Sequence, residues 1–145
     1  MSYCIEVWGS SPAIHINSII RIQKKAVRTI SFSRFRAPSK PIFDSLNLLT
    51  FPEIYQFSIL TFMHKFHFNA LPITFRNFFT LIRDSHNFNT RRSNNYQYNI
   101  SRCRLQVTES SIISKGPFFW NVLPENIIVP SLPLFKSKVK LFIKL

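Results

Sequence analysis

The sequence predicts a mainly α-helical protein: a small irregular bundle around a central apolar helix at about residues 50–68, with an irregular basic segment further on. Three observations carry this. From Thr50 to Phe68, helix-start and helix-stop signals bracket an almost wholly apolar run. A second stretch, Ser11 to Ser31, has helical periodicity with arginines and lysines on one side. Finally, 145 residues contain only 2 glycines against 9 prolines. So few positions for φ > 0 nearly exclude hairpins with primed turns and glycine-rich phosphate loops.

Taken in order, residues 1–9 read as the tail of something longer. Tyr3, Ile5, Val7 and Trp8 are apolar but too few to stand alone, and Gly9 is placed as a helix-ending residue. Ser11-Pro12 then supplies an N-cap followed by proline at the first helical position. Ile16, Ile19, Ile20, Gln23, Val27 and Ile30 follow steps of three and four, with Ala26 beside them, while Arg21, Lys24, Lys25 and Arg28 lie opposite. The basic connection Ser33 to Lys40 adds Arg34 and Arg36, and Pro41 to Leu46 can form a short helix.

The central helix begins at Thr50, which has capping-box spacing to Glu53. Pro52 lies in the first turn, and Leu49 with Ile54 occupies the positions of a hydrophobic staple. Asn69 and Pro72 supply the stop, and His64, Lys65 and His67 place positive charge near the negative end of the helix dipole. Roughly 18 residues make a rod of about 27 Å. With Ile54, Phe57, Leu60, Phe62, Met63, Phe66 and Phe68 leaving almost no wet face, neighbours must cover it all round.

Pro72 to Leu81 reads as a further short helix that buries Phe75, Phe78 and Phe79. Arg83 to Arg104, rich in Asn, Ser and Arg, reads as loop or extended structure. Val107 to Ser114 is expected to be helical, and Gly116-Pro117 to break that helix before an aromatic segment that must dock somewhere. Pro130 to Pro133 opens a last helix with Phe135, Val139 and Phe142 on one side and Lys136, Lys138, Lys140 and Lys144 largely on others.

A formal charge of +13 and a pI near 10.5 point to a partner carrying negative charge. Nucleic acid is the commonest such partner, and an anionic membrane surface is the rival. No apolar run reaches the roughly 18 residues of a spanning helix, and the amino terminus lacks the order of a signal peptide. The expectation is an intracellular protein of cytoplasm or nucleus, not secreted. Cys4 and Cys103 have no CxxC partner, so neither zinc nor a disulfide framework is indicated, and no cofactor is expected. The 16 phenylalanines accompany heavy Ile, Asn and Lys usage, as AT-rich coding produces, and so are not by themselves evidence of base stacking.

Several stretches together resemble a known family. Tyr3-Cys4-Ile5-Glu6-Val7-Trp8-Gly9, Ile22 to Ile30, Phe62-Met63-His64-Lys65-Phe66 and Leu71-Pro72 are similar to the carboxy-terminal region of LINE-type, jockey-like non-LTR retrotransposon reverse transcriptases. His86-Asn87-Phe88-Asn89-Thr90-Arg91 resembles that family's H-x-[YF]-x-T-R block, and Gly116-Pro117-Phe118-Phe119-Trp120-Asn121-Val122-Leu123-Pro124 its G-P-x-x-W-N-x-L-P block. The closing Ser131 to Lys136 is similar to its S-L-x-x-F-K-x-K ending. Order and spacing hold over essentially the whole chain. The resemblance implies the region after the polymerase palm: a helical thumb-like part over 1–82, then the basic segment and short helices over 83–145, packed as one unit. It also implies template RNA or RNA/DNA hybrid as partner and missing upstream polymerase domains as neighbours. Glu6, Asp44, Glu53, Asp84, Glu109 and Glu125 are scattered singly and form none of the clustered carboxylates that two-metal polymerisation needs. No catalytic residue is therefore assigned, and the chain is not expected to be an enzyme on its own.

The residues expected to meet nucleic acid are Arg21, Lys24, Lys25 and Arg28 on one helix face, Arg34 and Arg36 in the loop after it, and Arg91 and Arg92 in the later block. Each group has a plainer reading as a solvated helix face or a hydrogen-bonded loop. For Trp120, with Phe118 and Phe119, a plug over the core is preferred to a stacking platform. His64 and His67 have a spacing compatible with metal ligation but lack a third ligand. Cys103 lies among arginines without an identifiable base. The last helix is expected to dock on the protein rather than on a membrane. The alternative for the whole chain is a structural or protein-interaction remnant that self-associates through exposed apolar surface and binds no nucleic acid.

Overall fold

The computed structural model describes residues 3–85, 96–100 and 102–144. The helices are α1 (Ile5–Trp8), α2 (Ala13–Ile30), α3 (Ser39–Ser45), α4 (Phe51–His67), α5 (Ile82–Ser85), α6 (Gln106–Ser110), α7 (Ile112–Asn121) and α8 (Leu132–Lys144), with 3-10 turns at Ile73–Phe75 and Glu125–Ile127. The protein is mainly α. Leu81 and Tyr98 form an isolated antiparallel bridge.

Helix α4 is the axis, as its apolar sequence requires. Of its residues only Pro52 is exposed. Its start is set locally, because Glu53 Oε2 accepts the Thr50 N–H at 2.7 Å and the Thr50 side chain faces the Glu53 amide in the reciprocal half of a capping box. Ile59, Leu60 and Met63 then join Trp120 and Leu123 from the α7 end, Ile127 from the following turn, and Phe135 and Val139 from α8 in one buried cluster. The last helix therefore docks on the protein, through the side that its sequence marks as apolar.

Three helices end in the same way. After α2, α3 and α4 one residue adopts left-handed backbone: Phe32 (φ 51°), Asn47 (φ 51°) and Asn69 (φ 53°). Beyond each, a backbone N–H reaches back across the turn: Ser33 to Arg28 O at 3.0 Å, Leu48 to Phe43 O at 2.9 Å, and Ala70 to Lys65 O at 2.7 Å. These are Schellman closures, in which glycine or asparagine is favoured. In a chain so poor in glycine, asparagine substitutes for it twice. At Phe32 the side chain works against the backbone, at a cost of about 1–2 kcal/mol.

Several expectations are corrected. Gly116-Pro117 does not end a helix: α7 runs through it, and the break falls at Ser111, which caps α7 with extended backbone (φ −68°, ψ 160°). The residue before a proline avoids helical backbone chiefly because its Cβ and N–H meet the proline ring, and Gly116 has no Cβ. Pro72 to Leu81 forms only a 3-10 turn, with Phe79 buried, Phe75 half-buried and Phe78 exposed. Gly9 does follow α1, but with right-handed backbone at φ −66°. Its glycine is required by proximity instead, because a Cβ there would collide with the Tyr55 ring. In the 83–106 stretch, the described residues include the short helix α5, the bridge at Tyr98 and the start of α6.

A Cβ on Gly116 would lie 2.8 Å from Met63 Sδ and 3.3 Å from Phe79 Cζ. Helix propensity alone predicts that Gly116→Ala stabilises by about 1 kcal/mol. The packing predicts a loss of about 1–3 kcal/mol instead, and urea unfolding decides by the sign of the midpoint shift.

Candidate nucleic-acid interface

The side chain of Gln23 ties the long amphipathic helix α2 to the beginning of α4. Gln23 Nε2 donates to the Leu49 carbonyl at 3.0 Å, and Gln23 Oε1 accepts the Phe51 N–H at 2.9 Å. Phe51 is the first residue of α4, so its N–H has no partner within the helix. Periodicity places Gln23 in the buried stripe, and the unpaired amide it meets there explains why a polar residue occupies that position. With Val27 buried, Arg21, Lys24 and Lys25 face solvent.

Arg28 has a different task from its neighbours. It is half-buried, and its Nε–H donates to the Ala37 carbonyl at 2.8 Å. It thus clasps the loop that carries Arg34 and Arg36, both exposed. Ser31 and Ser33 hydroxyls meet at 2.8 Å, and the Ala37 N–H donates to Arg34 O at 2.9 Å, so the loop is tied at both ends. From Val7 to Phe43 the sequence contains no acidic residue. Among the described residues the ion pair is Arg83 with Asp84 at 3.5 Å, which involves none of these cations. Lys24 also lines a mixed groove of about 500 Å³ with Lys40 and Lys144, and with the carboxylates Asp44 and Glu53. Arg21, Lys24 and Lys25 are thus exposed on α2, and Arg34 and Arg36 on the loop that follows it. Arg91 and Arg92 lie outside the described residues, as does His86.

The other candidates resolve into the core. Trp120 is 1% exposed, and among the described residues its Nε1–H has no acceptor; it is a plug, with Phe118 exposed and Phe119 half-buried beside it. Asn121, a fixed position of the G-P-x-x-W-N-x-L-P block to which the sequence assigns no role of its own, pins the segment opposite: its Oδ1 accepts the Tyr98 N–H at 2.9 Å and its Nδ2 donates to Tyr98 O at 2.8 Å. In the G-P-x-x-W-N-x-L-P stretch, Gly116, Pro117, Trp120 and Leu123 are thus buried and Asn121 makes a tertiary link. A packing role accounts for these residue types.

His64 Nε2 donates to the Val129 carbonyl at 2.8 Å. His67 Nδ1 and the Tyr98 hydroxyl are hydrogen-bonded at 2.9 Å, and burial pushes the phenol pKa well above its ordinary value. Among the described residues no three His, Cys, Asp or Glu side chains come together as a metal site, and no helix is long and apolar enough to cross a membrane. No family model matches the chain, nor does any curated protein or solved structure.

Burial, reinforced by the nearby His64 and Arg83, lowers the His67 pKa from its ordinary 6.5. The unfolded chain therefore takes up a proton near that pH while the folded ring stays neutral. The stability due to the neutral ring is present above pH 6.5 and is lost as pH falls from there toward the lowered folded value. Denaturant unfolding at a series of pH values should show this decline in wild type and a shallower one in His67→Gln.

Proposed function

We propose that this chain binds the sugar–phosphate backbone of RNA, or of an RNA/DNA hybrid, through the exposed surface of α2 and its following loop. It would do so as a non-catalytic part of a reverse-transcriptase polyprotein of the non-LTR type. The carrying observation is the cluster of Arg21, Lys24, Lys25, Arg34 and Arg36, exposed on two connected elements in a stretch without a carboxylate. Exposed cations at the spacing of one helix face track a phosphate chain and release its counterions; they do not read base sequence. The role is electrostatic positioning of a strand. The family assignment rests on the ordered blocks of residues described above, and the parent enzyme's polymerase activity would reside in other domains.

A second reading, protein docking, has its own support. Tyr3 is 89% and Val7 80% exposed, whereas Ile5 is buried and Trp8 half-buried against Phe51, with ring centroids 5.6 Å apart. Beside them runs a groove of about 970 Å³ whose apolar lining includes Val7, Phe62, Phe75, Phe78, Val107 and Ile112. On this reading the upstream polymerase domains, or another copy of the chain, would cover the groove, and association would persist or strengthen at high salt.

Fluorescence anisotropy with labelled single-stranded RNA, RNA/DNA hybrid and duplex DNA over a salt series separates the two. Wild type should weaken steeply with salt. The triple substitution Arg21→Gln, Lys24→Gln, Lys25→Gln, which spares the structural Arg28, should flatten the log–log slope by about 2–3, near 0.7–0.9 for each phosphate no longer neutralised. Absence of binding, or a slope unchanged by the three substitutions, would overturn the proposal and leave the docking reading.

A further inference from the structure

The loop that closes α2 presents two aromatic rings that the fold does not use. Phe32 is 98% exposed and Phe35 77% exposed, yet both lie in a segment tied down by the Arg28 clasp, the Ser31–Ser33 contact and the Arg34–Ala37 turn. Phe32 also occupies a left-handed position, where the same chain places asparagine in the two equivalent closures, Asn47 and Asn69. Neither packing nor backbone conformation accounts for a phenylalanine there; both are opposed to it. AT-rich coding does not distinguish the three sites either, since it favours asparagine as readily as phenylalanine. The two rings alternate with cations in the order Phe32, Arg34, Phe35, Arg36.

We infer that Phe32 and Phe35 are a base-stacking platform, and that the nucleic acid held by this surface is single-stranded. The inference rests on the phosphate-binding reading of α2 and adds to it the state of the bases. Sequence-tolerant single-strand binding combines a cationic track for the backbone with aromatic faces on which unpaired bases stack, because every base offers a π-face. Arg34 and Arg36 supply phosphate partners beside the rings, and Arg21, Lys24 and Lys25 continue the track along the helix. The local charge selects an anionic occupant. In a duplex the base faces are already covered by their neighbours, so the rings would gain nothing from paired strands. The surrounding arginines also fit an anionic lipid surface into which the rings would dip, and that occupant is one outcome of the test.

The decisive comparison uses the unaltered chain with two oligonucleotides of equal length and charge, single-stranded RNA and its abasic counterpart, beside duplex RNA and vesicles of phosphatidylserine and phosphatidylcholine. The variants Phe32→Asn and Phe35→Ser accompany it, and thermal melting checks that they fold. Phe32→Asn should melt no lower than wild type, since asparagine suits the left-handed backbone. Single-stranded RNA should bind more tightly than the abasic strand or the duplex, and each variant should weaken it at least about fivefold. Equal binding of intact and abasic strands overturns stacking. So do variants that bind RNA like wild type while the α2 triple variant is weakened, a result that leaves the phosphate reading standing. If wild type binds no nucleic acid, both readings fall. If it binds vesicles but not RNA, and the Phe variants lose the vesicles, the rings serve a membrane surface and the inference is overturned.

Discussion

A helix that is apolar on almost every side cannot face water, and α4 imposes that constraint on the rest of the chain. Each neighbouring element supplies one part of its cover. Trp120 comes from α7, Phe135 and Val139 from α8, and Phe79 from the chain just past the 3-10 turn after α4. Tyr98 is drawn in through its isolated bridge to Leu81, and its two hydrogen bonds with Asn121 stand in for a second strand beside it. The prolines and the scarcity of glycine fit such an architecture. The cover is assembled from short pieces, and at both of its glycines, Gly9 and Gly116, a Cβ would crowd a neighbouring side chain.

The cationic surface is positioned by the same core without belonging to it. Gln23 joins α2 to the capped start of α4, where an unpaired amide would otherwise be left. Together with the buried Val27, that contact leaves Arg21, Lys24 and Lys25 exposed to solvent. Arg28 carries the arrangement on into the loop. A rigid helix and a tied loop have little conformational freedom of their own to lose on binding, which is the general advantage of a preorganised site.

Much of this is legible in the sequence, and the reasons are local. The capping box at Thr50 and Glu53, the stop at Asn69, the amphipathic α2 and the buried side of α8 depend on residues within a few positions of one another. What is not legible depends on distant partners or on backbone state. Gly116-Pro117 reads as a breaker until Met63 is seen to need a residue without a Cβ there. Phe78 has the spacing of a buried residue, but the chain from Ile73 tightens into a 3-10 turn and leaves it exposed. Of the expected binding residues, Arg21, Lys24, Lys25, Arg34 and Arg36 are exposed, whereas Arg28 is a clasp. A signal for Phe32 exists in the sequence, since a helix running to Ser31 requires a closing residue; without the Schellman geometry nothing marks that residue as phenylalanine in a place for asparagine.

A nucleic-acid strand lying along α2 and the loop after it would leave a direct chemical trace. Photo-crosslinking of the whole chain to single-stranded RNA containing 4-thiouridine, followed by peptide mapping, reads that trace. Crosslinks are predicted within residues 21–36, concentrated at Phe32 and Phe35. Crosslinks confined to α8 or to the groove beside Val7, with none in α2 or its loop, would contradict this placement of the strand.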